Sequence, residues 1–120
     1  MKKILVIEDN DTNMYLISFI LKKNGFEVIG ARTGEEGVGL ALKEKPDLII
    51  MDIQLPGIDG LETTRKIRET KVDRELPIIA LTSYAMTGDK EKALTAGCTG
   101  YLEKPINPDT VMSEIKKYFK

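Results

Sequence analysis

Leu48-Ile49-Ile50-Met51-Asp52-Ile53-Gln54-Leu55-Pro56-Gly57-Ile58-Asp59-Gly60 is the stretch on which the fold turns. An unbroken apolar run that ends on one carboxylate and passes at once into turn residues is the pattern of a strand covered on both faces, leaving the core at Asp52. Alone, Asp52 reads equally well as a turn-forming aspartate that closes a strand. The other strand ends decide between the two readings.

Outward from that stretch, short apolar strands alternate with amphipathic helices. Ile4-Leu5-Val6-Ile7 reads as the first strand, with Glu8-Asp9-Asn10-Asp11 as the polar turn after it. A helix from about Asp11 to Asn24 puts Ile17, Ile20 and Leu21 on one face and ends at Gly25. Phe26 to Ile29 is the second strand. Thr33 followed three residues later by Glu36 matches a capping box for a helix carrying Val38, Leu40, Ala41 and Leu42, which must stop before Pro46. Asp59-Gly60-Leu61-Glu62 repeats that logic for a helix through about Thr70. Pro77 to Leu81 is the fourth strand, and Thr87-Gly88-Asp89 starts a helix that closes at Gly97. Gly100 to Glu103 is the fifth strand. Asn107 as N-cap with Pro108 at the first helical position opens the last helix, through Phe119, with Val111, Met112, Ile115 and Phe119 on a common side.

Five strand–helix units without linkers or repeats predict an α/β fold, a five-stranded parallel sheet with helices on both faces, as one domain spanning 1–120 with no output domain. Composition agrees with a globular protein, at 42% hydrophobic and 31% charged residues. Eighteen basic against nineteen acidic residues leave a formal charge of −1, which disfavours nucleic acid and anionic membranes as partners. A single cysteine, Cys98, cannot form an internal disulfide, and no apolar run approaches spanning length, so cytoplasm is the expected compartment. The absence of histidine excludes histidine acid/base chemistry and histidine metal ligation on this chain.

In open parallel sheets, ligands bind at the carboxyl ends of the strands, where strand order reverses. Glu8 and Asp9 follow the first strand, Asp52 ends the third, Thr82 follows the fourth and Lys104 follows the fifth. Strand order 2-1-3-4-5 brings three carboxylates together with a hydroxyl and an ammonium. Carboxylates that converge repel one another unless a cation sits among them, and a hard divalent ion such as Mg2+ suits their oxygens. Asp9 and Asp52 are the direct metal ligands expected, with Glu8 acting through water and the Gln54 backbone carbonyl as a third ligand. Such an ion together with Lys104 would neutralise charge as a phosphoryl group moves onto Asp52, with Thr82 donating its hydroxyl to a phosphoryl oxygen.

These residues resemble those of a response-regulator receiver domain of two-component signalling, CheY-like and flavodoxin-like in fold. The resemblance covers the whole chain and is carried by Glu8-Asp9, Asp52, Thr82, Tyr101 and Lys104-Pro105 in the family's order. The segments E-D-N-D-T-N, M-D-I-Q-L-P and A-M-T-G-D are most similar to receivers of hybrid kinases and to the stand-alone receiver of cell division and polarity. The resemblance implies Asp52 as phosphoacceptor, Thr82 and Tyr101 as switch residues, and a cis Lys104-Pro105 bond. A histidine kinase or histidine phosphotransfer protein is the implied phosphodonor. Signalling would run through the face of the fourth helix, fifth strand and fifth helix, by docking on a downstream protein. The chain is then a signalling receiver that catalyses only its own phosphorylation and dephosphorylation, monomeric or weakly dimeric through the fourth-helix face. Ser83 departs from the family's usual alanine or glycine, and Gln54 and Tyr84 occupy the positions that tune phosphate loss.

Other readings fit less well. An aspartate-nucleophile phosphatase carries a second acid two residues after the first, where this chain has Gln54. A flavin or nucleotide module needs a glycine-rich phosphate loop after the first strand, where Glu8-Asp9 repels phosphate. Cys98 reads as a small buried hydrophobe, and Met86 and Met112 as packing residues.

Overall fold

The computed structural model describes residues 2–72, 74–82, 89–104 and 106–119. Ten elements alternate along the chain: β1 (Lys3–Ile7), α1 (Asp11–Lys23), β2 (Glu27–Ala31), α2 (Gly34–Glu44), β3 (Leu48–Asp52), α3 (Gly60–Glu69), β4 (Ile78–Thr82), α4 (Asp89–Ala96), β5 (Gly100–Glu103) and α5 (Pro108–Tyr118). The strands form one parallel sheet in the order β2-β1-β3-β4-β5. That is the flavodoxin-like arrangement expected from the sequence. Residues Ser83, Tyr84, Met86 and Thr87 and the expected cis bond to Pro105 lie outside the described residues.

The pleat sorts the strand side chains into two cores. Leu5, Ile7, Ile49, Met51, Ile78 and Ala80 pack in one, which also holds Ala41 of α2, Ile67 of α3 and Ala93 of α4. Ile4, Val6, Leu48, Ile50, Ile79 and Leu81 fill the other, with Ile17, Ile20 and Leu21 of α1 and Val111, Met112 and Ile115 of α5. Successive residues point to opposite faces, so a strand buried on both sides must be apolar throughout. All five residues of β3 are buried, Asp52 included. Each fully buried aliphatic side chain contributes about 1.5–3 kcal/mol.

Helix starts follow their cap signals. Asn10, Thr33 and Asp59 accept from the backbone N–H of Asn13, Glu36 and Glu62, and Asn107 caps α5 ahead of Pro108. Three strands differ in their limits from expectation, β1 by starting one residue earlier, at Lys3. Pairing in β2 extends to Ala31, opposite Ile7, while Phe26 leaves the strand to stack on Phe119 with ring centroids 5.3 Å apart. In β4, Pro77 has no N–H to donate and only its carbonyl joins the sheet, accepting from Ile49, so the strand starts at Ile78 and takes in Thr82.

The loop after β3 closes tightly on the site. Gly60 N–H donates to the Ile53 carbonyl at 2.8 Å, and a Cβ on Gly60 would lie 2.6 Å from the Asp52 carbonyl oxygen and from Ile53 Cα. Backbone atoms cannot yield as a flexible side chain can. Gly60→Ala is expected to cost about 1–3 kcal/mol and to slow any chemistry at Asp52, read from the urea midpoint and the rate of modification. A variant as stable and active as the wild type would contradict the close approach.

Candidate functional site

The strand pleat continues past the core and selects which side chains meet. Glu8 stands two residues after Val6, Asp52 two after Ile50 and Lys104 two after Leu102, so all three share the parity of the α1/α5 face. Thr82 follows Ile78 and Ala80 in the opposite parity, as does Tyr101, which packs against the core beneath α2, α3 and α4. Glu8, Asp52 and Lys104 therefore share one parity, and Thr82 and Tyr101 share the other.

Lys104 Nζ lies 2.9 Å from Glu8 Oε1 and 3.1 Å from Asp52 Oδ2. One ammonium bridges two carboxylates from different strands. The lysine is itself anchored, its backbone N–H donating to the Thr82 carbonyl at 2.7 Å. The two oxygens of Asp52 are distinguished, because Oδ1 accepts the Gln54 N–H at 2.9 Å while Oδ2 faces the lysine. Glu8 is wholly buried, whereas Asp9 is exposed at the mouth. Ligand atoms of Glu8, Asp9 and Asp52 all lie within 4.8 Å of one another.

Three acids against one base leave the pocket short of positive charge. Burial, with the adjoining Asp52 carboxylate adding to it, pushes Glu8 up to about 7, and Lys104 opposes the rise. Burial alone would lower the Lys104 ammonium, but Glu8 and Asp52 outweigh it and raise its pKa. Hard oxygens from two strand ends, held close and undercompensated, fit a small divalent cation that keeps part of its water.

The structure thus brings Glu8, Asp52 and Lys104 into contact and sets a ligand atom of Asp9 within 4.8 Å of those of the two other acids. Thr82 is buried next to Leu81, the register partner of Asp52. Tyr101 pairs with Ala80 one strand over and is half-buried. Gln54 is exposed, and its N–H rather than its side chain serves the site. Cys98 is buried against the Thr64 hydroxyl at 3.5 Å, and burial raises its thiol pKa, as expected of a packing residue. Sequence reasoning found nothing after the second strand, yet Arg32 there forms an ion pair with Asp11 at the start of α1. An arginine at a strand end beside the acidic turn was the available signal.

A model of the response regulator receiver domain matches residues 4–116 of the chain. The polar-differentiation response regulator DivK of Brucella ovis is 41% identical over 117 residues, covering 98% of this chain and 95% of that protein. Among solved structures, the receiver domain of a sensor histidine kinase from Pseudomonas aeruginosa is 37% identical with a TM-score of 0.90, covering 98% of this chain and 96% of that one. It carries a magnesium ion coordinated in its active-site cleft. The chemotaxis response regulator CheY4 of Vibrio cholerae is 30% identical with a TM-score of 0.93, covering 99% of both chains.

Proposed function

Because the chain belongs to the response regulator receiver domain family of two-component signalling, we propose that it takes a phosphoryl group from a phosphohistidine onto Asp52 and signals as a single receiver domain. The observation that carries this reading is the Lys104 ammonium bridging Glu8 and Asp52, with Asp9 beside them. An Asp52 oxygen attacks phosphorus, the bond from phosphorus to the donor imidazole nitrogen breaks, and that nitrogen keeps the electron pair. Lys104, already on Oδ2, stands where charge builds on the transferring group. Thr82 supplies a hydroxyl to a phosphoryl oxygen, and its movement with Tyr101 reshapes the α4-β5-α5 face. Hydrolysis of the acyl phosphate returns the free carboxylate.

Asp9, Asp52, the Gln54 carbonyl and, through water, Glu8 are the residues that would hold magnesium. When bound, the ion supplies further charge neutralisation at the phosphoryl oxygens. The donor is a histidine kinase or histidine phosphotransfer protein, and the phosphorylated face docks on a downstream protein in the cytoplasm. Among the described residues no helix is long and apolar enough to cross a membrane.

Incubation with acetyl phosphate and magnesium is expected to add the mass of one phosphoryl group, read by intact mass spectrometry. No gain would sink the reading. Magnesium affinity should also depend on pH, because a protonated Glu8 no longer offers charge to the cluster. With Glu8 at about 7, affinity should weaken by up to about tenfold per pH unit below that value. Calorimetric titration at about pH 6 and about pH 8 checks this, with Glu8→Gln flattening the difference.

A further inference from the structure

Helix α4 is tied firmly at one end and lightly along its length. It stops at Ala96 in a Schellman turn, where the Gly97 N–H donates to the Leu94 carbonyl at 3.1 Å and the Cys98 N–H to the Ala93 carbonyl at 3.0 Å. Arg68, near the carboxyl end of α3, reaches that turn. Its Nε donates to the Gly97 carbonyl at 3.0 Å, its Nη2 to the Thr99 hydroxyl at 3.3 Å and its Nη1 to the Arg74 carbonyl at 3.3 Å. A guanidinium holds its donors in a rigid fork, so one side chain joins the end of α4, the residue before β5 and the loop before β4. Gly97, at φ 117°, makes room for it, because a Cβ there would lie 2.9 Å from Arg68 Cγ.

The same turn is locked to the sheet and to α3. Thr99 donates its N–H to the Ile78 carbonyl at 2.7 Å and accepts the Ile78 N–H on its hydroxyl at 3.1 Å. The Thr64 hydroxyl, one turn before Arg68 on α3, lies 3.5 Å from Cys98 Sγ. The body of α4 is held by less. Among its described side chains only Ala93 and Ala96 are buried, and Leu94 is 44% exposed. By contrast α1 buries Ile17, Ile20 and Leu21, and α5 buries Val111, Met112 and Ile115. Two alanines remove far less apolar area from water than three larger side chains do.

We infer that α4 pivots about this clamped carboxyl end, with Arg68 as the positioning residue that makes it the pivot. The inference rests on the phosphoacceptor role of Asp52 proposed above. Occupation of Asp52 then displaces the amino end of α4, the end nearer in the chain to Thr82, while the turn at Gly97 stays with α3 and the sheet. A downstream protein reads the amino half of the helix. Elements that move in such switches are drawn from the lightly packed parts of a fold, and the residues at an element's end absorb the change.

A structure of the whole chain with beryllofluoride and magnesium, which place a phosphoryl mimic on a carboxylate, tests the pivot. Arg68 Nε should stay within hydrogen-bond distance of the Gly97 carbonyl while the amino end of α4 moves against the sheet. A helix that moves as far at Ala96 as at Asp89, or one that stays still although the mimic sits on Asp52, overturns the pivot alone. Failure of the mimic to bind Asp52 removes the phosphoacceptor reading, and the pivot falls with it. Amide NMR tests the residue. The mimic should leave the Gly97 and Cys98 resonances in place in wild type and shift them in Arg68→Met, which keeps the aliphatic stem and loses those three bonds. Resonances that stay in place in the variant as well overturn the role of Arg68. A purely structural arginine would lower the urea midpoint without changing which amides follow the mimic.

Discussion

Asp52→Asn is expected to gain no phosphoryl mass from acetyl phosphate while becoming more stable relative to wild type as pH rises. The first half follows from the loss of the nucleophilic carboxylate. The second follows from Glu8, whose pKa burial and the Asp52 carboxylate raise from 4.5 to about 7. For an acid raised in the folded state, the native protein holds the extra proton. Its favourable contribution is complete below 4.5 and is lost as pH rises through about 7. Asparagine keeps the oxygen that accepts from Gln54 N–H and removes the charge, so Glu8 relaxes towards its ordinary value. Each pKa unit recovered adds about 1.4 kcal/mol at neutral pH. Urea midpoints of both proteins between about pH 5 and about pH 8 measure it. A constant difference across that window would mean that Asp52 and Glu8 do not communicate. Net stabilisation on removing the reacting group would show the pocket holding unfavourable charge for function.

Much of this was legible in the sequence because parallel sheets write their topology in the apolar runs. Leu48 to Met51 could only be a doubly covered strand, and strand order then fixed which ends met. The chemical identity of Glu8, Asp52 and Lys104 followed from reading one residue past each run. What the sequence did not carry was how differently the two adjacent acids are buried. Glu8 and Asp9 are adjacent, but one is wholly buried under the lysine and the other lies open at the mouth. That difference comes from strand parity combined with where β1 ends, and the Glu8 N–H bonded to the Ala31 carbonyl extends the pairing by one residue. Phe26 and Pro77 were misplaced for a related reason. Local propensity saw an aromatic and an apolar neighbour, whereas ring stacking on Phe119 and the missing proline N–H set the strand limits. The ion pair of Arg32 with Asp11 joins residues from different units, and no periodicity reports such a contact.

Lys104→Met should be the most damaging single change that leaves the nucleophile in place. Its ammonium is the cation that touches both Glu8 and Asp52, at 2.9 and 3.1 Å. Removing it leaves two buried carboxylates facing each other, a change that typically costs about 3 kcal/mol or more. The loss should depend on pH with a definite sign. Lys104 holds Glu8 down against burial, so in the variant the Glu8 pKa rises above about 7 and the window over which stability falls with pH widens upwards. At about pH 5 the carboxyl takes a proton and most of the penalty disappears; at about pH 8 the penalty is full. Phosphorylation should slow by about 100-fold at either pH, since the lysine ammonium no longer meets the transferring group. Glu8→Gln combined with Lys104→Met separates the two effects: stability near pH 8 should recover while the phosphorylation rate stays low. Equal destabilisation of Lys104→Met at both pH values would show that the lysine stem packs rather than that its charge balances the acids. Recovery of phosphorylation in the double variant would assign the slow rate to a distorted pocket instead of a missing charge.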